Sequence, residues 1–280
     1  MQEKTRKKVE WLIENHKQAI KNNGAKIALA RNPNLPRMMQ EREKFEIQYL
    51  LNRLRDQRTE LLPFVKGIKK HVKGITENTH VCAVYILLSR IFQNWDALFL
   101  LAEHGKNSPS QNLMRMIKEG CMLVKLFTVD SDSGERKNLD KWFSGDIVSH
   151  GIGRDTTSEY FDEHSPYPEI DTKKLESHIY QMESQASHNA YASILESVSP
   201  FTEDFDFDGH ADFHHTKAVI AEGSMTDTAI TLKAVYSILL KDIDGFEKIS
   251  EILIKYNPDI NDPTNKEDIK EFIKSDFEPS

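Results

Sequence analysis

Cysteine is scarce: two residues in 280, Cys82 and Cys121, each inside an apolar stretch of helical period. That excludes a disulfide framework and any Cys-x-x-Cys metal or redox site, and the expected state is two reduced core thiols. A phosphate-cradling Gly-rich loop is also missing, as are a Gly-x-Ser-x-Gly nucleophile elbow and a His-Glu-x-x-His pair. Without them the P-loop, α/β-hydrolase and zincin chemistries have no footing. The opening stretch MQEKTRKKVEW is charged and no apolar run follows it, so a cytoplasmic location is expected. The most apolar run, Val81 to Ala102, is nearly long enough for a bilayer. It carries Arg90, Gln93, Asn94 and Asp96 near its centre, each costly in lipid. It is expected to be a buried helix, with no membrane partner.

What the chain has in quantity is charge, 29% of residues, unevenly spread. Residues 1–73 hold 18 Lys/Arg against 8 Asp/Glu, a net +10; the remainder holds 19 against 36, a net −17. Such a split suits a polyanion-facing end or an electrostatic contact with a protein partner or a second copy. It also arises when lysine-rich helices keep their outer faces wet. Within residues 37–73, Arg53, Arg55, Arg58, Lys66, Lys69, Lys70 and Lys73 are the candidates for phosphate contact. Tyr49 and Phe64 are expected in the core.

Almost every long segment has helical period. A charged helix is expected over 3–23, then one over 37–61 whose stripe is Met38, Phe45, Leu50, Leu51, Leu54 and Leu61, with Pro63 kinking or restarting it. A central buried helix is expected over 79–104. Ser108 and Gln111 make a capping box for the next, running to about 129. A short helix over 136–149 and a long loop over 150–170 follow. Asp171 caps a helix to about Ser197, FDFDGHADF carries the one hairpin signal, near 204–213, and a last helical block spans 224–256. The fold class is all-α: a helical bundle over 76–257 with a basic N-terminal helical extension over 1–75, one small β-hairpin and a polar tail over 258–280.

Three sets of polar residues interrupt the apolar pattern. Arg90 and Asn94 belong to a polar stripe on the central helix, where a buried arginine would need an anionic partner and a snorkelling one would not. Arg115 and Glu119 are four apart on the next helix and share a face, as ordinary surface pairs also do. In MESQASHNAY, Ser184, Ser187, His188 and Tyr191 oppose the apolar side of the 171–197 helix. Such mixed faces suit the wall of a cleft. In DFDFDGHADFHH, Asp208, His210, Asp212, His214 and His215 have metal-ligating chemistry, but their spacing fits no zinc pattern. A hairpin with Phe205 and Phe207 inward explains them as well, so no metal site and no cofactor are expected.

The stretch RIFQNWDALFLLAEHGKNSPSQNLMRMIKEGCMLVKLF, with the later Ser-His element, resembles a bacterial domain-of-unknown-function family with the HEPN-like (higher eukaryote and prokaryote nucleotide-binding) helical fold. The resemblance covers roughly residues 80–200. It implies an all-α bundle, with Arg90, Arg115, Glu119, Ser187 and His188 at the family's motif positions. Many HEPN-like proteins are metal-independent ribonucleases of toxin or phage-defence systems, and they carry Arg, four to six residues, then His. No histidine here follows an arginine at that distance. The resemblance thus implies RNA or nucleotide binding, with Arg115, Glu119 and His188 as candidate catalytic residues and Arg90, Asn94, Ser187 and Tyr191 as candidate binding residues. A non-catalytic interaction module, docking a protein or a second copy through the basic helices, is the alternative.

Overall fold

The computed structural model describes residues 35–149, 151–153, 155–157 and 215–258. Every regular element among them is helical, so the all-α expectation holds there. The expected helices over 3–23 and 171–197, the hairpin near 204–213 and the tail beyond 258 lie outside the described residues.

The elements are α1 (Leu35–Ile68, ending in a 3-10 turn over Lys69–His71), α2 (His80–Glu103), α3 (Asn107–Ser133), α4 (Lys137–Phe143), α5 (His215–Ala234, extended by a π-helical turn over Val235–Leu239) and α6 (Ile243–Tyr256). The chain groups into two compact units. Among the described residues the first holds 35–52, 96–115 and 215–221, and the second holds 53–95, 116–149, 151–153, 155–157 and 222–258.

In the first unit, α1 buries Ile47 and Leu51. Phe45 stands off this stripe: it lies two positions from Ile47, about 200° around the helix, and is exposed. This corrects the expectation that Phe45 belongs to the buried face. Tyr49, expected in the core, is exposed too. Gly105, at φ 63, closes α2: its N–H donates to the Ala102 carbonyl at 3.0 Å and the Lys106 N–H reaches Leu101 at 2.9 Å. That paired closure needs a left-handed residue, which glycine adopts without strain. α3 then begins at Asn107, and the buried Ser110 hydroxyl donates back to the Lys106 carbonyl at 2.6 Å.

In the second unit, α1 continues through Pro63 without a break, where a kink or restart is expected. Proline in a helix interior costs on the order of 3 kcal/mol, and the burial of Leu61, Val65 and Ile68 on either side offsets it. α2 buries Cys82, Ala83, Val84, Leu87, Leu88, Ile91, Phe92 and Trp95. Among the described residues it is the one helix long and apolar enough to cross a membrane. A core helix passes the same test, and this one leaves Arg90, Gln93 and Asp96 exposed.

The 224–256 block is interrupted. Lys241 takes φ 53, and Asp242 starts α6 by accepting from the Gly245 N–H at 3.0 Å. The Tyr236 ring lies so close to Gly245 that no Cβ would fit there. The Tyr236 hydroxyl donates to the Phe64 carbonyl at 2.8 Å, and the Phe64 and Tyr236 rings meet edge to face at 5.7 Å. Burial, with the Asp242 charge second, pushes that phenol up to about 12, so it stays a neutral donor. α6 is held to α1 by Glu60, which accepts from Lys255 (2.6 Å) and from the Tyr256 hydroxyl (2.7 Å).

The expected loop over 150–170 also starts differently, because residues 151–153 and 155–157 are helical. Ser149 starts this turn: its hydroxyl accepts from the Gly151 N–H at 3.3 Å and its carbonyl from the Ile152 N–H at 3.0 Å. Two glycines in four residues hide such a turn from a propensity reading.

Candidate functional site

The residues singled out by sequence divide three ways. Arg115 and Glu119 both lie on α3, each half-buried. Asn94 on α2 is half-buried, while Arg90, one turn before it, is exposed and therefore needs no buried counter-charge. Ser187, His188 and Tyr191 lie outside the described residues, as does the hairpin segment with its aspartates and histidines up to His214. Among the described residues no cluster of three or more His, Cys, Asp or Glu side chains could hold a metal ion.

Several buried polar groups of the second unit bond to one another. Trp95 donates its indole N–H to the Thr228 hydroxyl at 3.3 Å, and that hydroxyl donates to the Ser224 carbonyl at 2.8 Å. Cys121 sits 3.7 Å from the same hydroxyl. Burial pushes the Cys121 thiol up to about 12, so it is protonated at neutral pH. Lys125 pairs with Asp227 at 2.6 Å, with little solvent around the lysine. These contacts join α2 and α3 to α5.

A second polar cluster was not legible in the sequence. His80 opens α2, and its Nε2 lies 2.9 Å from the Glu135 carbonyl. A carbonyl only accepts, so Nε2 carries the proton in the neutral ring. Arg136 Nη2 donates to the Asn78 carbonyl at 2.9 Å and to Asp140 Oδ1 at 3.1 Å, and Asn138 donates to the buried Asp130 at 3.1 Å. Burial raises the Asp130 carboxyl above its ordinary value, against the Asn138 hydrogen bond. The cluster fastens the corner between α3 and α4 to the start of α2.

Burial lowers the His80 value below 6.5, ahead of the opposing Glu135 hydrogen bond; Arg136 lowers it further, while Asp130 and Asp140 raise it. A folded value below the unfolded one means the unfolded chain binds more protons. His80 thus contributes stability above its ordinary pKa that is lost as pH falls through its lowered folded value. We expect melting temperatures between pH 7.5 and 5 to fall less steeply in His80→Gln than in the native chain; parallel curves would show that His80 does not contribute.

The described basic surface is the remaining site. Arg53 is committed inward: it pairs with Glu222 at 3.2 Å and donates to the Tyr256 carbonyl. Arg58 is half-buried over the Phe92 ring, 5.4 Å from its centroid, and Arg55 is half-buried. Phe64 is half-buried against Tyr236. Lys66, Lys69, Lys70 and Lys73 are exposed, with His71 among them. Lys69 leans over the Tyr85 ring at 5.6 Å. Lysines at a helix C-terminus complement its dipole, but one or two suffice for that. Four exposed ammonium groups in eight residues, on the helix end, the 3-10 turn and the segment just after it, concentrate positive charge at this surface. Comparison with family models, with curated proteins and with solved structures finds no match to this chain.

Proposed function

We propose that this chain is a HEPN-like helical protein that binds RNA, working in the cytoplasm of a prokaryote in a defence or toxin setting. The observation that carries the binding is the exposed group Lys66, Lys69, Lys70 and Lys73, within a chain whose first 73 residues hold a net +10. Lysine ammonium groups contact phosphates as point charges and release condensed counterions, which gives affinity without sequence preference. The resemblance of residues 80–200 supplies the family and the setting.

Cleavage is the second part of the same reading. Arg115 would pair with a phosphate, Glu119 would orient it, and His188 would act as general acid and base without a metal ion. The test is incubation of RNA in chelator with the native chain, Arg115→Ala and His188→Ala. We expect cleavage by the native chain and a loss of roughly 100-fold or more in each variant, the scale of a positioned acid–base group. Cleavage that survives both substitutions removes these residues from the mechanism. The alternative is a binding module with no catalysis. It draws on the missing Arg-to-His spacing and on the engagement of both Arg115 and Glu119 by other groups in the protein. Binding without cleavage in chelator favours it.

A further inference from the structure

Lys66, Lys69, Lys70 and Lys73 all belong to the second compact unit, and over 66–77 the chain holds these four lysines against one acid, Glu77. The stretch is net positive on its own, whatever the balance of the whole chain. Such a row is costly to hold. Lys66 stands three and four residues before Lys69 and Lys70, and like charges at that spacing on a helix repel. A flexible lysine relieves the repulsion by swinging its ammonium away into water. Lys69 is held instead: its ammonium lies 5.6 Å from the centroid of the Tyr85 ring, whose face attracts a cation. Tyr85 is half-buried on α2 and follows the buried Val84, with Leu87 and Leu88 buried just beyond it, so its ring is carried on a backbone fixed in the core. The ring occupies one side of the ammonium. Lys69 stays exposed, and an ammonium has three N–H donors to offer an anion.

We infer that Tyr85 is a positioning residue for phosphate binding: its ring holds the Lys69 ammonium in the lysine row, in place for an RNA phosphate, an inference that rests on the RNA-binding reading above. A free lysine gives up rotamer freedom when it meets a phosphate. Lys69 has given up part of that freedom already, against the ring, so less is lost on binding. Tyr85 acts through Lys69 and adds no phosphate contact of its own. Its effect therefore falls on the affinity at a given salt concentration, and the slope of affinity against salt, which counts phosphate contacts, is unchanged.

The experiment is a double-mutant cycle on the affinity for an oligouridylate, read by fluorescence anisotropy over a range of salt. It uses the native chain, Tyr85→Leu, Tyr85→Phe, Lys69→Gln and the double variant Tyr85→Leu/Lys69→Gln. Leucine keeps an apolar side chain where the tyrosine packs, and phenylalanine keeps the ring. We expect Tyr85→Leu to bind about 2-fold to 5-fold more weakly, the scale of an exposed cation–π contact, with the native salt slope. Tyr85→Phe binds as the native chain does. Lys69→Gln lowers the slope by about 0.7, one phosphate contact. In the Lys69→Gln background Tyr85→Leu costs nothing further, because the lysine it positions is gone. Any general loss of stability from Tyr85→Leu is present in both backgrounds and cancels in the cycle. An equal loss in both backgrounds, or no loss in Tyr85→Leu, overturns the positioning role and leaves the RNA reading standing. So does a loss in Tyr85→Phe as large as in Tyr85→Leu, which would assign the effect to the hydroxyl, and so does native binding in Lys69→Gln. No native binding to RNA overturns both.

Discussion

Trp95→Ala lowers the stability of the fold by about 3–5 kcal/mol, the range for removing a fully buried Trp. Trp95 is 0% exposed on α2, and its indole N–H ends on the Thr228 hydroxyl of α5. The substitution opens a void in the core, and it takes away the donor that meets Thr228. The Thr228 hydroxyl still donates to Ser224, so the polar loss is partial and the void dominates. For a chain of this size each kcal/mol shifts the melting temperature by about 2–4 °C, so the expected drop is near 10 °C. Trp95→Phe keeps most of the volume and loses the N–H, so its loss is smaller. Calorimetry that finds less than about 1 kcal/mol for Trp95→Ala would mean that this part of the core collapses around the gap.

Reversing Lys66, Lys69, Lys70 and Lys73 to glutamate weakens RNA binding by about 10²–10³-fold near 0.1 M salt. Each phosphate contact to a single strand contributes about 0.7 to the slope of log K against log salt. Four contacts give a slope near 2.8, and at 0.1 M that slope amounts to about 600-fold relative to 1 M. The four side chains are exposed, so the variant should fold, with a small loss of stability from the Lys69 contact over Tyr85 and from placing acidic groups at the helix C-terminus. Reversal at Arg53 is a different experiment. Its guanidinium ties α1 to Glu222 and to the Tyr256 carbonyl, so that variant is expected to lose stability as well as charge.

Period and punctuation made the helices legible. The bounds of α2 fall within a residue of those expected, because a long apolar run ends at a glycine with no competing signal. Hydrophobicity without phase misled the reading of α1. Phe45 and Tyr49 are apolar enough to suggest a core, yet Ile47 and Leu51 set the buried angle of this stretch. Local propensity also failed at the break before α6. Lys241 and Asp242 carry no proline or glycine signal, and the turn is fixed by Asp242 capping Gly245 and by the Tyr236 ring packed on that glycine. The cluster of His80, Asp130, Arg136 and Asp140 was invisible for a related reason. Asp130, Arg136 and Asp140 are close in sequence, but His80 lies 55 residues before its Glu135 partner and is brought to them by tertiary packing, which one-dimensional periodicity does not encode. The exposed lysines were named from sequence together with Arg53, Arg55 and Arg58. Only the structure separates the four at the surface from Arg53, which bonds inward, and from the half-buried Arg55 and Arg58.

The most direct test of the account is the salt dependence of single-stranded RNA affinity, measured by anisotropy for the native chain and for the four-lysine reversal. The account predicts a steep loss of native affinity with salt and a slope shallower by about 2.8 in the variant. A native chain with no affinity for RNA at low salt, or two slopes that coincide, would contradict it.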